Sequence, residues 1–411
     1  MSAFTAKAPN KHFILGLLFV GWLLDYLDRM VMSVAIVSIK EDFNLDPATV
    51  GVVLSSFFLA YAIMQIPGGW LSDKFGSRKI VLLSIIVWSA FTVMTGLAWG
   101  LVSLIVIRFL FGIGQGGYPS ASQKGISDFF PRNERSKASA TMMSSNYFGI
   151  ALAPLVAAPM LIWFGWRMMF VIIGAVGILM ALVFWFKFRP PNQSGTSDEM
   201  KMTNKVPLKE LLRNAALWKI VIMWFGAGIV NWGLATWMPT YLSDVRGMDI
   251  LAIGFAASLP GILGGLAVVV SGPILEKFFV NREKYFAAIG MIISTIFLYL
   301  MFTTTSLIPA MIYWNLCIIF KTTAFTVAFS LPHKMLSKKA IGSAMGMVNM
   351  GAQAAGFIAP LVMGLLISAT GTYSAAFWFL IASALVSILG ALSIKHEEQS
   401  VDNQEYEASA Q

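Results

Sequence analysis

Ala153 to Val156 reads APLV, and Ala359 to Val362 reads APLV again, 206 residues later. Gly165 recurs as Gly371 at the same offset, and Gly69, Asp73 and Lys74 recur as Gly272, Glu276 and Lys277 at an offset of 203. Two offsets so close to half of the 411 residues mean that one unit occurs twice, in the same order. Composition says what kind of unit it is. Hydrophobic residues make up 57% of the chain and charged ones 12%, against about 25% charged in an average soluble protein. The mean hydropathy is +0.75, and the apolar excess runs the whole length rather than sitting in one anchor. That excludes an ordinary soluble globule and points to a protein that crosses the bilayer many times.

A helix needs about 20 apolar residues, at 1.5 Å each, to cross the hydrocarbon core. Twelve windows qualify: 13–38, 48–71, 80–99, 101–123, 140–162, 167–187, 219–242, 251–275, 285–303, 306–330, 342–366 and 373–394. With the repeat, they predict an all-α membrane protein of twelve transmembrane helices in two six-helix bundles. The expected division is a first bundle over 1–188, a linker over 189–215, a second bundle over 216–395 and a tail over 396–411. Pro190 and Pro191 stop the sixth helix, the polar run after them reads as linker, and Pro207 to Arg213 reads as a short interfacial helix. The first apolar run has no cleavage site with a polar mature domain behind it, so it stays in the protein as a helix.

Of the 29 Lys and Arg, 22 fall in loops on one side of these helices. Three, Lys40, Arg167 and Arg246, fall on the other, which places both termini in the cytoplasm and the protein in the cell inner membrane. The net charge of +9 is therefore scattered between apolar runs, unlike the basic patch of a nucleic-acid binder. The lone Cys317 excludes an internal disulfide, and neither it nor the distant His12, His333 and His396 makes a metal spacing. No phosphate-binding loop or nucleophile with a base is evident, so the sequence predicts no enzyme and no cofactor, with transport driven by an ion gradient.

Gly68 to Lys79 reads GGWLSDKFGSRK. It resembles the signature between helices 2 and 3 of the major facilitators, whose two bundles rock about a central substrate. In that reading Gly69 lets the second helix approach a neighbour, while Asp73 and Arg78 belong to a latch on the cytoplasmic face.

A charged residue near a helix centre costs about 2.5–3.5 kcal/mol on insertion scales, so such residues face an interior cavity and have partners there. Asp25, Asp28, Arg29, Arg108 and Lys321 are of this kind. Asp25 and Arg29 have the i, i+4 spacing of a pair on one helix face, with Asp28 facing a neighbouring sector. Arg108 and Gln115, seven residues apart, face one way, and Gln115 lies about 21 Å along its helix, near the midplane. Lys124 falls near the inner interface, where its ammonium reaches the surface. The 206 offset carries Gln115 onto Lys321 in the opposite half. Three cations against two acids favour an anionic substrate, with Arg offering a two-point fork to an acid group.

At these residues the chain resembles the anion:cation symporter family of the major facilitators, carriers of sugar acids and other organic anions. The likeness rests on Tyr26, Asp28 and Arg29; on Tyr61, Gln65, Pro67 and Gly68; on Arg108 with GIGQGGYP; on FFPRNER at 129–135; and on TWMPTYL at 236–242. It implies proton-driven uptake of an organic anion, with Arg29 and Arg108 as anion contacts and Asp28 as proton carrier. It also implies that Tyr26, Tyr61, Asn146 and Asn349 line the cavity. Gln115 stands where family members commonly carry a titratable Glu, so the family's two-carboxylate coupling does not carry over unchanged. Asp28 assisted by Asp25 is then the expected proton site, and Lys321 either a second anion contact or a titrating group. The expected partners are a small organic anion (a sugar acid, another carboxylate or a compact dianion), protons and the lipid bilayer, with no nucleic acid and a single chain as the working unit. The rival is an efflux antiporter for amphipathic or anionic compounds, whose cavity walls Met and Phe would suit.

Overall fold

The structure, a computed structural model, describes residues 11–131, 133–189, 208–335 and 341–394. The tail and most of the linker lie outside the described residues. Among the described residues thirteen helices run in chain order: α1 Lys11–Asp42, α2 Pro47–Phe75, α3 Ser77–Gly96, α4 Leu101–Gly116, α5 Tyr118–Phe129, α6 Arg135–Lys187, α7 Leu208–Arg213, α8 Ala215–Asp244, α9 Ile250–Phe278, α10 Glu283–Thr303, α11 Leu307–Met335, α12 Ile341–Thr370 and α13 Ser374–Ser393. In hydrocarbon every backbone N–H and C=O has to be satisfied within the protein, and helices do this without a neighbour.

Among the described residues, ten stretches are long and apolar enough to cross a bilayer. One of them, within α6, holds two crossings: a straight helix of its 53 residues would run about 80 Å, and Gly165 breaks it with φ 71° and ψ 167°. The remaining crossing is α1, whose own charges keep it from meeting the same apolarity requirement. α4 and α5 form a single crossing, the backbone between them staying near helical at Gly117 with φ −82° and ψ −23°. That gives the twelve crossings of a major facilitator fold, and the protein is a multi-pass membrane protein.

Several helices run past the windows read from sequence. α2 continues to Phe75, the α4–α5 crossing to Phe129 and α12 to Thr370. At these ends the backbone keeps its helical bonds into polar sequence, where hydropathy no longer marks the element. α7 falls where a short helix was expected.

The repeat is visible in the caps as well as in the letters. Asp46 caps α2 by accepting from Thr49 N at 3.2 Å, and Asp249, 203 residues on, caps α9 by accepting from Ala252 N at 2.9 Å. Asn44 and Gly247, again 203 apart, both adopt positive φ, as do Gly165 and Gly371, 206 apart. The halves touch closely along α2 and α12. A Cβ on Gly51 would meet Pro360 O at 2.7 Å, and one on Gly364 would meet Pro47 O at 2.5 Å.

Candidate functional site

α1 presents its charges to α4 and α3. Arg29 Nη2 donates to Asp25 Oδ2 at 3.0 Å, one turn below, and approaches Gln115 Oε1 of α4 at 3.4 Å. Gln115 Nε2 donates to the Asp25 main-chain carbonyl at 2.9 Å, so the amide bridges the cation and the α1 backbone one turn away. Three rings surround the guanidinium: Tyr61 at 4.5 Å, Tyr26 at 4.7 Å and Phe57 at 4.9 Å from their centroids. Such faces hold a cation without neutralising it. Arg29 Nε and Nη1 and Asp25 Oδ1 are buried with no hydrogen-bond partner.

Asp28 turns to the next sector, where its Oδ2 accepts from the Thr92 hydroxyl of α3 at 2.6 Å and its Oδ1 has no partner. Arg108, 2% exposed, lies over Phe111 at 4.5 Å and Phe57 at 5.4 Å, and its Nε is unpartnered. Phe57 is therefore a ring that both arginines share. Small residues let the helices come this close. Gly112 lies against the Phe57 carbonyl and Gly116 against Tyr61 and Met64, with Cβ distances of 2.5–2.9 Å that a side chain would violate.

The second half supplies Lys321, buried on α11, whose ammonium bonds the Asn231 amide oxygen of α8. Asn349 Nδ2 of α12 reaches across to Gln65 Oε1 of α2 at 3.3 Å. Asn146 lies on α6 with its Oδ1 unpartnered. The five charges predicted from sequence are all buried, and four of them, Asp25, Asp28, Arg29 and Arg108, share the α1–α3–α4 neighbourhood with Gln115, Tyr26 and Tyr61. Asn231 and Thr92 were not predicted. Asn231, a lone amide in an apolar run, was legible as a polar residue at midspan; Thr92 has no sequence signal, since threonines are common on such helices.

Outside this centre, the GGWLSDKFGSRK segment works within the first half. Asp73 pairs with Lys124 of α5 at 3.3 Å, which gives that lysine a partner where the sequence suggested only a surface-seeking one. Arg78 donates to the Trp185 carbonyl of α6 at 2.7 Å. The close approach falls to Gly68, whose Cβ would meet Gly117 Cα at 2.6 Å. Gly69 has ordinary room, with Ser120 Oγ at 3.5 Å, so the packing role expected of it belongs to its neighbour.

At the opposite end of the bundle the halves are joined. Lys40 of α1 is ion-paired with Asp244 of α8, Tyr373 donates to the same carboxylate at 2.9 Å, and Ser368 donates to Asp46 at 3.1 Å. Two adjoining hollows, about 780 and 440 Å³, open there and share Asp46, Pro47, Asp244 and Tyr373. They flank the seal, not the arginines. Among the described residues no group of three or more His, Cys, Asp and Glu is placed to hold a metal ion.

A twelve-crossing, twice-repeated helical bundle with charges buried between its helices defines a membrane transporter rather than an enzyme. The chain belongs to the Major Facilitator Superfamily, which it matches over residues 18–340. It is 31% identical to the probable sulfoacetate transporter SauU of Cupriavidus necator, covering 94% of each chain. It is equally 31% identical to the probable galactarate/D-glucarate transporter GudP of Bacillus subtilis, over 94% of this chain and 92% of that one. The fold is that of a bacterial homolog of the human lysosomal transporter Spinster in its inward-facing, occupied crystal structure, with TM-score 0.83 and 19% identity over 94% of this chain and 96% of that chain.

Proposed function

We propose that the protein imports a small organic anion, a sugar acid or another carboxylate, by proton symport with alternating access. The observation that carries this reading is the Arg29 and Arg108 pair, ringed by aromatics with N–H groups unspent and two carboxyls alongside, at a depth where lipid tolerates no free charge. The relatives named for sulfoacetate and for galactarate or glucarate support an anionic cargo. Arg29, Arg108, Lys321 and Gln115 with Tyr26, Tyr61, Asn146 and Asn349 form the substrate site. Asp28, assisted by Asp25, takes the proton, and Gly69, Asp73 and Arg78 belong to the gate on the cytoplasmic side.

In this reading the chain lies in the cell inner membrane with both termini cytoplasmic, so the Lys40–Asp244 seal closes the outer side. It divides into bundles over 1–188 and 216–395 with linker 189–215 and tail 396–411, works as one chain, and needs no cofactor. Efflux of amphipathic or anionic compounds in exchange for protons is the competing reading of the same fold. Uptake of radiolabelled organic acids into proteoliposomes separates the two. Import demands accumulation under an inward proton gradient that collapses with a protonophore; an outward-directed substrate flux under the same gradient would establish the antiporter instead.

A further inference from the structure

The charges buried at mid-membrane are not shared evenly between the halves. In the first, Arg29 is paired with Asp25, and Asp28 lies within electrostatic reach of Arg108, so two cations face two acids. In the second, Lys321 stands alone: no carboxylate lies within 4.0 Å of its ammonium among the described residues, and its hydrogen bond goes to the neutral Asn231. The excess positive charge at mid-membrane is therefore that of Lys321.

The two halves also arrange cation and amide in opposite order. In the first, the cation is on α1 and the amide, Gln115, on α4; in the second, the amide is on α8 and the cation on α11, the repeat-mates of α1 and α4. Gln115 and Lys321 each lie 14 residues into their helix, about 21 Å from its start. Helix adhesion does not explain Lys321. A polar bond between membrane helices averages about 0.6 kcal/mol, whereas inserting a charge costs about 2.5–3.5 kcal/mol, and two amides would serve without that cost. An ammonium has three donors, and Asn231 takes one. Nor does the pair face lipid. Ile222, the exposed apolar position of α8, lies nine residues or half a rotation from Asn231, on the far side of the helix.

We propose that Lys321, positioned by Asn231, receives one acid group of a substrate that has two, the other going to Arg29 and Arg108 in the opposite half. This rests on the reading of the cavity as an organic-anion site and narrows it to two-headed anions. A cargo of that kind spans the two halves and ties them through its own skeleton; a one-headed acid engages a single side.

The test measures binding to the purified protein for matched pairs of one- and two-acid compounds: galactonate with galactarate, gluconate with glucarate, acetate with sulfoacetate. In at least one pair the unmutated protein binds the two-acid member at least tenfold tighter. Lys321→Gln weakens that member tenfold or more and its one-acid partner less than threefold. Lys321→Arg, which keeps the charge and cannot give up its proton, retains the preference, and Asn231→Ala erodes it severalfold. Equal affinities within every pair in the unmutated protein overturn the inference even if Lys321→Gln fails to fold, as does an equal loss for both members in that variant. Either result leaves an organic-anion carrier standing. Binding of no acid in the panel removes that reading together with the inference.

Discussion

Lys40 of α1 is ion-paired with Asp244 of α8, and the same carboxylate accepts from the Tyr373 hydroxyl at the head of α13, so one acid ties both halves together at a single end of the bundle. The other hydrogen bonds between described residues of the two halves are Asp46 with Ser368, at that same end, and Gln65 with Asn349, deeper in. Beyond Gln65, toward Gly76, none crosses the seam among the described residues. A partly exposed ion pair contributes about 0.2–1 kcal/mol. Asp244→Asn is therefore expected to shift the open-to-sealed ratio at this end by up to about fivefold. Spin labels at Asn44 and Thr372 report it as a growing long-distance population, and an unchanged distribution would show the pair to be incidental.

Backbone contact closes the same seam. Gly51→Leu forces a side chain onto Pro360 O, 2.7 Å from where its Cβ would sit, and the backbone there has no soft atom to move. The sealed state is expected to become minor, with the same labels reading open and steady uptake falling at least tenfold.

Asp28→Asn keeps the hydrogen-bonding shape at Thr92 and removes the titratable proton. Exchange of organic anion across proteoliposome membranes is expected to continue, while accumulation against a concentration gradient under a proton gradient ceases. Accumulation at wild-type levels would place the proton elsewhere.

Gln115→Glu sets a third carboxylate 3.4 Å from Arg29 and deletes the amide's bond to the Asp25 carbonyl. The added charge competes with the substrate for Arg29, so anion affinity is expected to fall at least tenfold, equivalent to about 1.4 kcal/mol. Adding Asp25→Asn moves the carboxylate rather than multiplying it and is expected to restore affinity to within about threefold. Calorimetric titration of both variants gives the coupling directly.

Gly68→Ala and Gly69→Ala differ by one position and should differ in outcome. The first pushes a methyl into Gly117 Cα and is expected to lower stability by about 1–3 kcal/mol; the second meets only Ser120 and stays near neutral. Thermal unfolding in detergent separates them, and equal melting temperatures would contradict the packing seen here.

Much of this was legible beforehand because the bilayer writes strict rules into sequence. Twelve apolar windows, the repeat and the i, i+4 spacing of Asp25 and Arg29 each follow from a constraint that has few solutions. Gln115 opposite the helix 1 pair was also within reach, since depth along a helix is arithmetic. What sequence did not show is which sector a side chain leaves its helix toward. Thr92 meeting Asp28, Lys124 meeting Asp73, and Asp244 meeting both Lys40 and Tyr373 depend on rotations and crossings between helices far apart in the chain. Gly69 was preferred over Gly68 for the same reason: the motif names both, and only the packing decides which one a neighbour touches.

Lys321's solitary charge also has an electrical meaning. In the proposed alternating-access cycle, whatever part of the field that ammonium traverses is worth about 2.3 kcal/mol per elementary charge per 100 mV. In that cycle the vacant carrier is biased by the membrane voltage, and a two-headed anion bound together with one proton cancels that bias. Cargo would then set the voltage sensitivity of the turnover cycle, making the empty return the step that a resting potential slows or speeds.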